Sequence, residues 1–546
     1  SVYLIGVIKK MNIPVNFAMW GMAILPIIVL IVLMIKFRWG ATEAAPVGLI
    51  VTIVSAMTFY KAPANLVAVE SAKGVWSSLV ILLIIWTAIL LYQAGQEANA
   101  FLVIKNELSK LIPNELLLIL ALGLVFVSFL QGITGFGVPV AVGAPLLIGI
   151  GVRPIYAVTI SLLGQAWGNT FGTLGAAWDA LADSAGIKAG SDEYFKAAFW
   201  AAVFLLAWNL VTGVIICWFY GKGRAVRKAF PAVLILTLVG GGGQLVLSQI
   251  NTTLSNFIPA VLALVIVMLL GRMRLYNTDW KIEESPIMDR TERNDKAEGE
   301  IPDMTLFQAF LPYLLLSAMT IAVLAIKPVN EALGQFKIGI TVPETRTGYG
   351  IVNMSSDNYS PIAIFTQASM FLFLAAIIAL AYYKKKEWIK EGGIKTAFAN
   401  SISMTMPSGM AVIGLVIMSK IMGGTGQTIV LSQGIANVLG SKYLLLAPFV
   451  GLLGTFMTAS NMSSNILFGG FQVTTANLLH VSTSGVLGAQ TSGGAIGAAV
   501  SPSKIILGTT TANILGKEGE VLKILLAITI PATILIGAFL FAVFGI

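Results

Sequence analysis

Two stretches of the chain set hydroxyl and amide side chains among glycines and prolines inside otherwise apolar sequence. The first, FLQGITGFGVPVAVGAPLLIGIGVRP (Phe129–Pro154), holds Gly132, Gly135, Gly137, Pro139, Gly143 and Pro145. It continues as SLLGQAWGNTFGTLG (Ser161–Gly175), with Gln165, Trp167, Asn169 and Thr170. The second, FMTASNMSSNILFGGFQ (Phe456–Gln472), is followed by GAQTSGGAIGAAVSPSK (Gly488–Lys504). The chemistry they suit is reversible binding, and no covalent catalysis is implied. A helix that begins inside such a break offers free N–H groups and the positive end of its dipole, which favour a small anion such as a carboxylate. Thr134, Ser460, Asn461, Ser463 and Ser464 add hydrogen-bonding side chains. The expected ligand is small, polar and anionic.

The elements that position these residues must be broken helices. In lipid an unpaired peptide group costs several kcal/mol, so unwound backbone persists only where protein buries it or where it lines a water-filled cavity. Both regions run in the same order: apolar span, short polar break, second apolar span, then a run of Gly, Ser, Thr and Gln. They lie about 325 residues apart, the pattern of an internally duplicated transporter with its site at the repeat interface. Close packing of helices through small residues would explain the glycines. It does not call for Gln131, Asn461, Ser463, Ser464 and Asn465 beside them. The candidate substrate-contacting residues are Gln131, Gly132, Thr134, Gly135, Gly137, Gln165, Asn169, Asn461, Ser463, Ser464, Asn465, Gln490, Ser492 and Lys504. Gly469 and Gly470 join the glycines expected to permit tight backbone.

The rest of the sequence is a frame of membrane spans. Of 546 residues 57% are apolar and 11% charged, against roughly a quarter charged in soluble domains; the chain is a polytopic membrane protein. One cysteine, Cys217, and one histidine, His480, cannot supply haem axial pairs, iron–sulfur ligation or a structural zinc site. No cofactor and no metal is expected. The net charge of +9 sits in short loops between apolar spans, which is a topology signal and not a nucleic-acid one. Lys36 with Arg38, then Lys222, Arg224, Arg227 and Lys228, Arg272 and Arg274, and Lys384 to Lys395 are assigned to one side, the cytoplasm. The expected fold is an all-α polytopic membrane protein of about a dozen transmembrane helices plus re-entrant helices in two inverted repeats. Residues 1–271 form the first half with its broken region at 129–175, 272–305 a solvated cytoplasmic loop, and 306–546 the second half with its broken region at 456–504. The segment Gln93–Asn114 reads as an amphipathic helix flat on the membrane, and Lys327–Ser360 as a polar external loop.

The motifs QGITGFGVPVAVGAPLL (Gln131–Leu147), GLLGTFMTASNMSSNILF (Gly451–Phe468), TSGGAIGAAVSPS (Thr491–Ser503) and LGKEGE (Leu515–Glu520) resemble those of the lactate permease family of bacterial and archaeal secondary transporters. Their order and spacing fit too, and a weaker likeness runs across essentially the whole chain. The resemblance implies a carrier of L-lactate, D-lactate or glycolate in the cytoplasmic membrane, usually driven by protons, built as two repeats with re-entrant hairpins. The chain departs from the family where it has Gln131 and Asn461, positions at which relatives carry acids, and at Ala498, where many carry lysine. Intramembrane carboxylates are the usual proton carriers. Coupling through another carboxylate, coupling to sodium, uniport, and transport of a different small organic anion are therefore all open at this point, as is a homo-oligomer.

Single charged residues in or near spans divide into interfacial and functional candidates. Glu43, at the start of a span, and Asp179, after the first polar run, are the coupling candidates. Glu70 and Lys73 are one helical turn apart and read as a surface pair. Lys420 reads as closing a helix end, Arg153 as snorkelling, and His480 as a packed or interfacial side chain. Three other classes compete with a carrier. A channel would share the glycine-rich backbone but lacks saturable counterflow. A membrane subunit of an enzyme complex sits poorly with so little histidine and intramembrane carboxylate. An ATP-driven pump would need the phosphate loop GxxxxGK[ST], which the sequence does not contain.

Overall fold

The computed structural model describes residues 13–37, 39–135, 137–290 and 301–545. Arg38 and residues 291–300 of the polar loop lie outside them. Among the described residues ten helices are long and apolar enough to cross a membrane, and three shorter apolar ones accompany them. The protein is an all-α polytopic membrane protein. In chain order the helices are α1 (Phe17–Ile31), α2 (Ala41–Thr58), α3 (Ala64–Glu97), α4 (Ala100–Leu111), α5 (Glu115–Ile133), α6 (Val138–Gly149), α7 (Pro154–Ala166), α8 (Gly172–Ala185) and α9 (Asp192–Ser248), the last interrupted at Gly221–Lys222. They continue as α10 (Phe257–Arg272), α11 (Leu306–Ala325), α12 (Lys327–Leu333), α13 (Ala368–Lys385), α14 (Gly393–Thr425), α15 (Gln427–Leu439), α16 (Tyr443–Thr458), α17 (Asn461–Leu478), α18 (Thr483–Gly497), α19 (Pro502–Thr511) and α20 (Glu518–Phe544).

Local sequence starts these helices where the N–H groups of a first turn find acceptors. The side chains of Asn16, Asn114, Ser191, Ser460 and Ser482 each accept from a backbone N–H three residues on, and Thr305 with Gln308 forms a capping box at α11.

Two hairpins enter the bundle from opposite ends. In the first, α5 runs inward and α6 returns antiparallel to it: a Cβ at Gly143 would touch Val127, and one at Gly123 would touch Leu147. In the second, α16 runs inward and α17 returns, with Gly454 against Ser464 and Phe468, and Tyr443 donating to Gln472 near the far end. A broken helix lies alongside each. α7 runs parallel to α5, so close that a Cβ on Gly164 would fall on the Gly123 carbonyl oxygen, and the hydroxyl of Ser128 donates to the Gly164 carbonyl at 2.8 Å. α18 runs parallel to α16 in the same way, with Gly451 against the Gln490 carbonyl and Gly493 against that of Pro448. Small residues let the backbones approach within reach of dispersion contacts that lipid cannot replace.

One end of the bundle gathers most of the basic loops. The carbonyl of Lys228 accepts from the Tyr276 hydroxyl, Gly271 packs on Leu111 and Ile112, Gly393 lies by Glu97, and Arg153 N–H donates to the Ile287 carbonyl at 2.7 Å. The opposite end joins Lys61 to Gly348, Asn353 to the Gly424 carbonyl, and Trp76 to the Ser360 carbonyl.

Several expectations change at this level. The 272–290 part of the polar loop is not simply solvated: Tyr276, Ile287 and Met288 are buried, and Arg290 makes a two-bonded pair with Glu115 at 2.6 and 3.0 Å. The loop thus pins the first turn of α5. The segment 327–360 is not featureless either, since after α12 it folds into β1 (Lys337–Val342), β2 (Thr345–Arg346), β3 (Val352–Asn353) and β4 (Ser356–Ala363), paired β1 with β4 and β2 with β3, both antiparallel. α4 has one face against protein, with Phe101, Val103, Ile104, Lys105 and Leu108 buried. Glu70 and Lys73 form a 2.7 Å ion pair that is buried and not on the surface. Their spacing made the pair; the packing of α3 along α14, with Glu70 on Gly424, removed it from solvent.

Candidate functional site

Both hairpin tips fall near the middle of the bundle. At the first, Gly135 has φ +62° and Gly137 φ +90°, a left-handed region that costs other L-residues roughly 1–2 kcal/mol. Gly135 also leaves room for the Gln131 amide, which would lie 3.0 Å from a Cβ there. At the second tip Ala459 takes φ +59°. The Thr458 hydroxyl accepts from Ser460 N–H and donates to the Gly454 carbonyl, and the Ser460 hydroxyl accepts from Ser463 N–H at 3.2 Å. The break therefore falls at Ala459–Ser460. Gly469 and Gly470, expected to permit tight backbone at the break, are instead inside α17, where they admit Ser184 of α8.

A buried hydrogen-bond network joins the halves. Asn461 donates to the hydroxyls of Thr170 and Thr491, each at 3.2 Å, and these two hydroxyls are 3.0 Å apart. Asn465 donates to Thr491 and to the Ala177 carbonyl, both at 2.9 Å, and Asn169 donates to the Ala495 carbonyl at 3.2 Å. Each bond relieves a polar group that would otherwise lie buried without a partner. The side-chain carbonyl oxygens of Gln131 and Asn461 accept from no donor among the described residues.

Three cavities lie in series along this centre. The middle one, about 30 Å³, is walled by Gln131, Gly135, Asn169, Thr173, Ala176, Ala177, Ser460, Asn461 and Lys504. A space of that size suits water and not a three-carbon acid. On one side, sharing Ala176, opens a cavity of about 720 Å³ whose lining includes Trp76, Asp179, Asp183, Lys188, Tyr194, Lys337 and Lys420. On the other, sharing Ala459, Ser460 and Lys504, is one of about 270 Å³ near the Gly40–Thr42 turn. Four helix N-termini face this last cavity, those of α2 at Gly40–Thr42, α6 at Gly137, α17 at Ser460–Ser463 and α19 at Ser503–Lys504. Their combined dipoles make it positive.

Lys504 stands between the middle and the smaller cavity. It is 5% exposed and makes no hydrogen bond or ion pair with any described residue. The described walls of the middle cavity carry no carboxylate, so Lys504 is their single formal charge. Burying a cation without a partner costs several kcal/mol, an expense that an anionic ligand removes.

Of the residues picked out in the sequence, Gln131, Gly135, Asn169, Asn461 and Lys504 meet at the middle cavity, and Gly137 and Ser463 at the smaller one. The others lie beside them. Thr134 donates to the Leu130 carbonyl, Ser464 to the Gly451 carbonyl, and Gln490 to Ser464 while accepting from Gln472. Ser492 donates to the Ala201 carbonyl of α9. Gly132 packs on Asn256 and Phe257, and Gln165 is fully buried with no partner among the described residues. Asp179 opens onto the large cavity, whereas Glu43 is exposed on the first turn of α2 beside the smaller one. Lys420 does not close a helix end; it lies within α14 and pairs with Asp183 of α8 at 2.8 Å. His480 is exposed just past α17, and Arg153 precedes α7.

Sequence reasoning missed Thr42 and Pro407 on the smaller cavity, and Trp76, Tyr194 and Lys337 on the larger. They sit in ordinary spans or loops with no local signal, and only packing brings them to the path.

Comparisons with known proteins give the family. The sequence model of the L-lactate permease family matches residues 21–545. The L-lactate permease of Escherichia coli strain K12 is 26% identical over 544 residues, covering 94% of each chain. The glycolate permease GlcA of the same organism is 25% identical, covering 92% of this chain and 91% of its own. Among solved structures, the YdaH transporter of Alcanivorax borkumensis aligns with a TM-score of 0.42 and 11% identity over 87% of both chains, too distant to bear on the argument. With a family match over nearly its full length, the chain belongs to the L-lactate permease family.

Proposed function

We propose that the protein is a secondary transporter of a small 2-hydroxymonocarboxylate, lactate or glycolate, and that its substrate site is the middle cavity once the parting of the hairpin tips has widened it beyond the water-sized space of about 30 Å³ seen here. The observation that carries this reading is Lys504, a buried and unpaired cation among neutral walls. A single positive charge is balanced by one carboxylate and not by two. The ammonium would hold the carboxylate, and the free amide oxygens of Gln131 and Asn461 are acceptors for a 2-hydroxyl. Ala176, Ala177 and Ala459 supply short apolar walls against which a small carbon skeleton would pack in the widened cavity.

Because the middle cavity is nearly closed while larger ones lie on either side, transport requires the two hairpin tips and the broken helices to part first toward one cavity and then toward the other. The basic end is cytoplasmic by the distribution of Lys and Arg in short loops, which directs the 720 Å³ cavity outward and the 270 Å³ cavity inward. The membrane is the cytoplasmic membrane of a prokaryote.

Counterflow in proteoliposomes tests the reading. Purified protein loaded with unlabelled L-lactate should take up radiolabelled L-lactate transiently and saturably. Glycolate should compete, and succinate, with its second charge, should not. No counterflow of either acid, or equal competition by succinate, refutes the assignment.

A further inference from the structure

We propose that Asp179 is the proton site that couples transport, and that its protonation and the occupation of the middle cavity by an anion favour one another. The proposal rests on the substrate reading above and adds to it the residue that would carry the proton.

The geometry singles out this carboxylate. Five charged side chains line the large cavity: Asp179, Asp183, Lys188, Lys337 and Lys420. Asp183 is committed to Lys420 at 2.8 Å. Asp179 has no cationic partner within ion-pairing distance; its hydrogen bond comes from the Tyr194 hydroxyl of α9, 3.4 Å from Oδ1. That hydroxyl is in turn 2.6 Å from the Thr252 hydroxyl. The chain of three can run in either direction: Thr252 donates to Tyr194 and Tyr194 to the carboxylate, or a protonated Asp179 donates to Tyr194 and Tyr194 to Thr252. Both protonation states are thus served without moving a side chain.

Its place on α8 supplies the linkage. Thr173 and Ala176 wall the middle cavity, Ala176 also walls the large one, and Asp179 follows one helical turn later, about 4.5 Å along the axis. An anion beside Ala176 and an ionised Asp179 are like charges at close range, so each disfavours the other. Protonating Asp179 removes the repulsion, and by reciprocity a bound anion raises the proton affinity of Asp179. No other ionisable group among the described cavity linings has this freedom. Lys188 and Lys337 stand on the entrance loop and on β1, Lys504 faces the anion itself, and α3 presents only Trp76, Ser77, Val80, Ile81 and Ile84 to the large cavity. Glu193, next to Tyr194, accepts from the backbone of Ser484 on α18. With amides at Gln131 and Asn461, Asp179 is the free carboxylate nearest the site along this path.

The test uses full-length protein in proteoliposomes and reads lactate counterflow and accumulation separately. With the lumen one pH unit more alkaline, one-to-one proton coupling supports up to about tenfold accumulation. The unmodified chain should approach this value. Asp179→Asn should keep counterflow, lose accumulation to a ratio of about one, and exchange lactate at a rate independent of external pH. Asp179→Glu should restore accumulation, and Tyr194→Phe should shift the pH midpoint of exchange while leaving counterflow intact. Gradient-driven accumulation by Asp179→Asn overturns the proposal, as does accumulation by the unmodified chain on a sodium gradient alone. Should Asp179→Asn not assemble, an unshifted pH midpoint in Tyr194→Phe overturns it equally. Absence of lactate counterflow in the unmodified chain strikes the substrate reading instead, because that measurement imposes no proton gradient.

Discussion

Replacing Lys504 by methionine keeps most of the side chain's volume and removes its charge. In the proposed complex the ammonium meets a carboxylate in the middle cavity, which measures about 30 Å³ before the hairpin tips part. Two unit charges about 4 Å apart attract by about 4 kcal/mol at an effective dielectric of 20, and hydrogen bonds to charged groups contribute about 1.5–3 kcal/mol net of solvation. Taking about 2–3 kcal/mol for the loss gives a rise in the lactate Kd or KM of roughly 30- to 150-fold. The same substitution has the opposite effect on the empty protein, since it removes a buried cation that no described residue compensates. Lys504→Met should therefore raise the melting temperature of the ligand-free protein while abolishing the further rise that lactate brings. Lys504→Arg should fall between, because charge is kept but the larger planar group does not fit the same geometry. Uptake kinetics in proteoliposomes, with thermal unfolding in detergent, measure both quantities. A Lys504→Met protein with KM within threefold of the unmodified chain, or one whose ligand-free stability drops, would refute the reasoning.

Further outcomes follow from the two tips and their supports. Ala459, at φ +59°, should accept glycine with a gain of about 1 kcal/mol or less, whereas valine there should lower both thermal stability and uptake. Gly164→Ala places a methyl group on the Gly123 carbonyl oxygen, so it should abolish recovery of monodisperse protein on size exclusion; normal recovery would show that α5 and α7 can separate. Arg290→Ala frees Glu115 and the 272–290 segment, and tryptic cleavage at the exposed Lys281 should become several-fold faster, with a smaller effect on KM than on kcat.

Much of the candidate site's broken backbone was legible in the residues. Glycines, prolines and hydroxyl side chains inside apolar spans have few uses in a membrane other than a broken helix. That logic located both tips from Gly135 and Gly137 in one half and Ser460 and Asn461 in the other. It failed at Gly469 and Gly470 because glycine within a helix serves close packing equally well, here against Ser184. It failed at Glu70–Lys73 and at Lys420 because hydropathy and spacing do not say which face of a long helix meets protein. Ser464, Gln490 and Ser492 are polar residues at the expected depth that satisfy neighbouring backbone and side chains, a role that composition does not distinguish from ligand contact.

The sequence by itself determined that this is a membrane protein, that its spans are interrupted twice in a matching order, and that its motifs are those of lactate permeases. These properties follow from local physics: the length needed to cross hydrocarbon, the intolerance of lipid for unpaired peptide groups, and the short-range geometry of glycine and helix caps. Tertiary structure alone decided that Lys504 is left without a partner among the described residues while Lys420 finds Asp183, that four helix N-termini converge on one cavity, and that the Tyr194 hydroxyl reaches Asp179. Charge balance and burial depend on which residues, hundreds of positions apart, are packed against one another, and no local pattern encodes that.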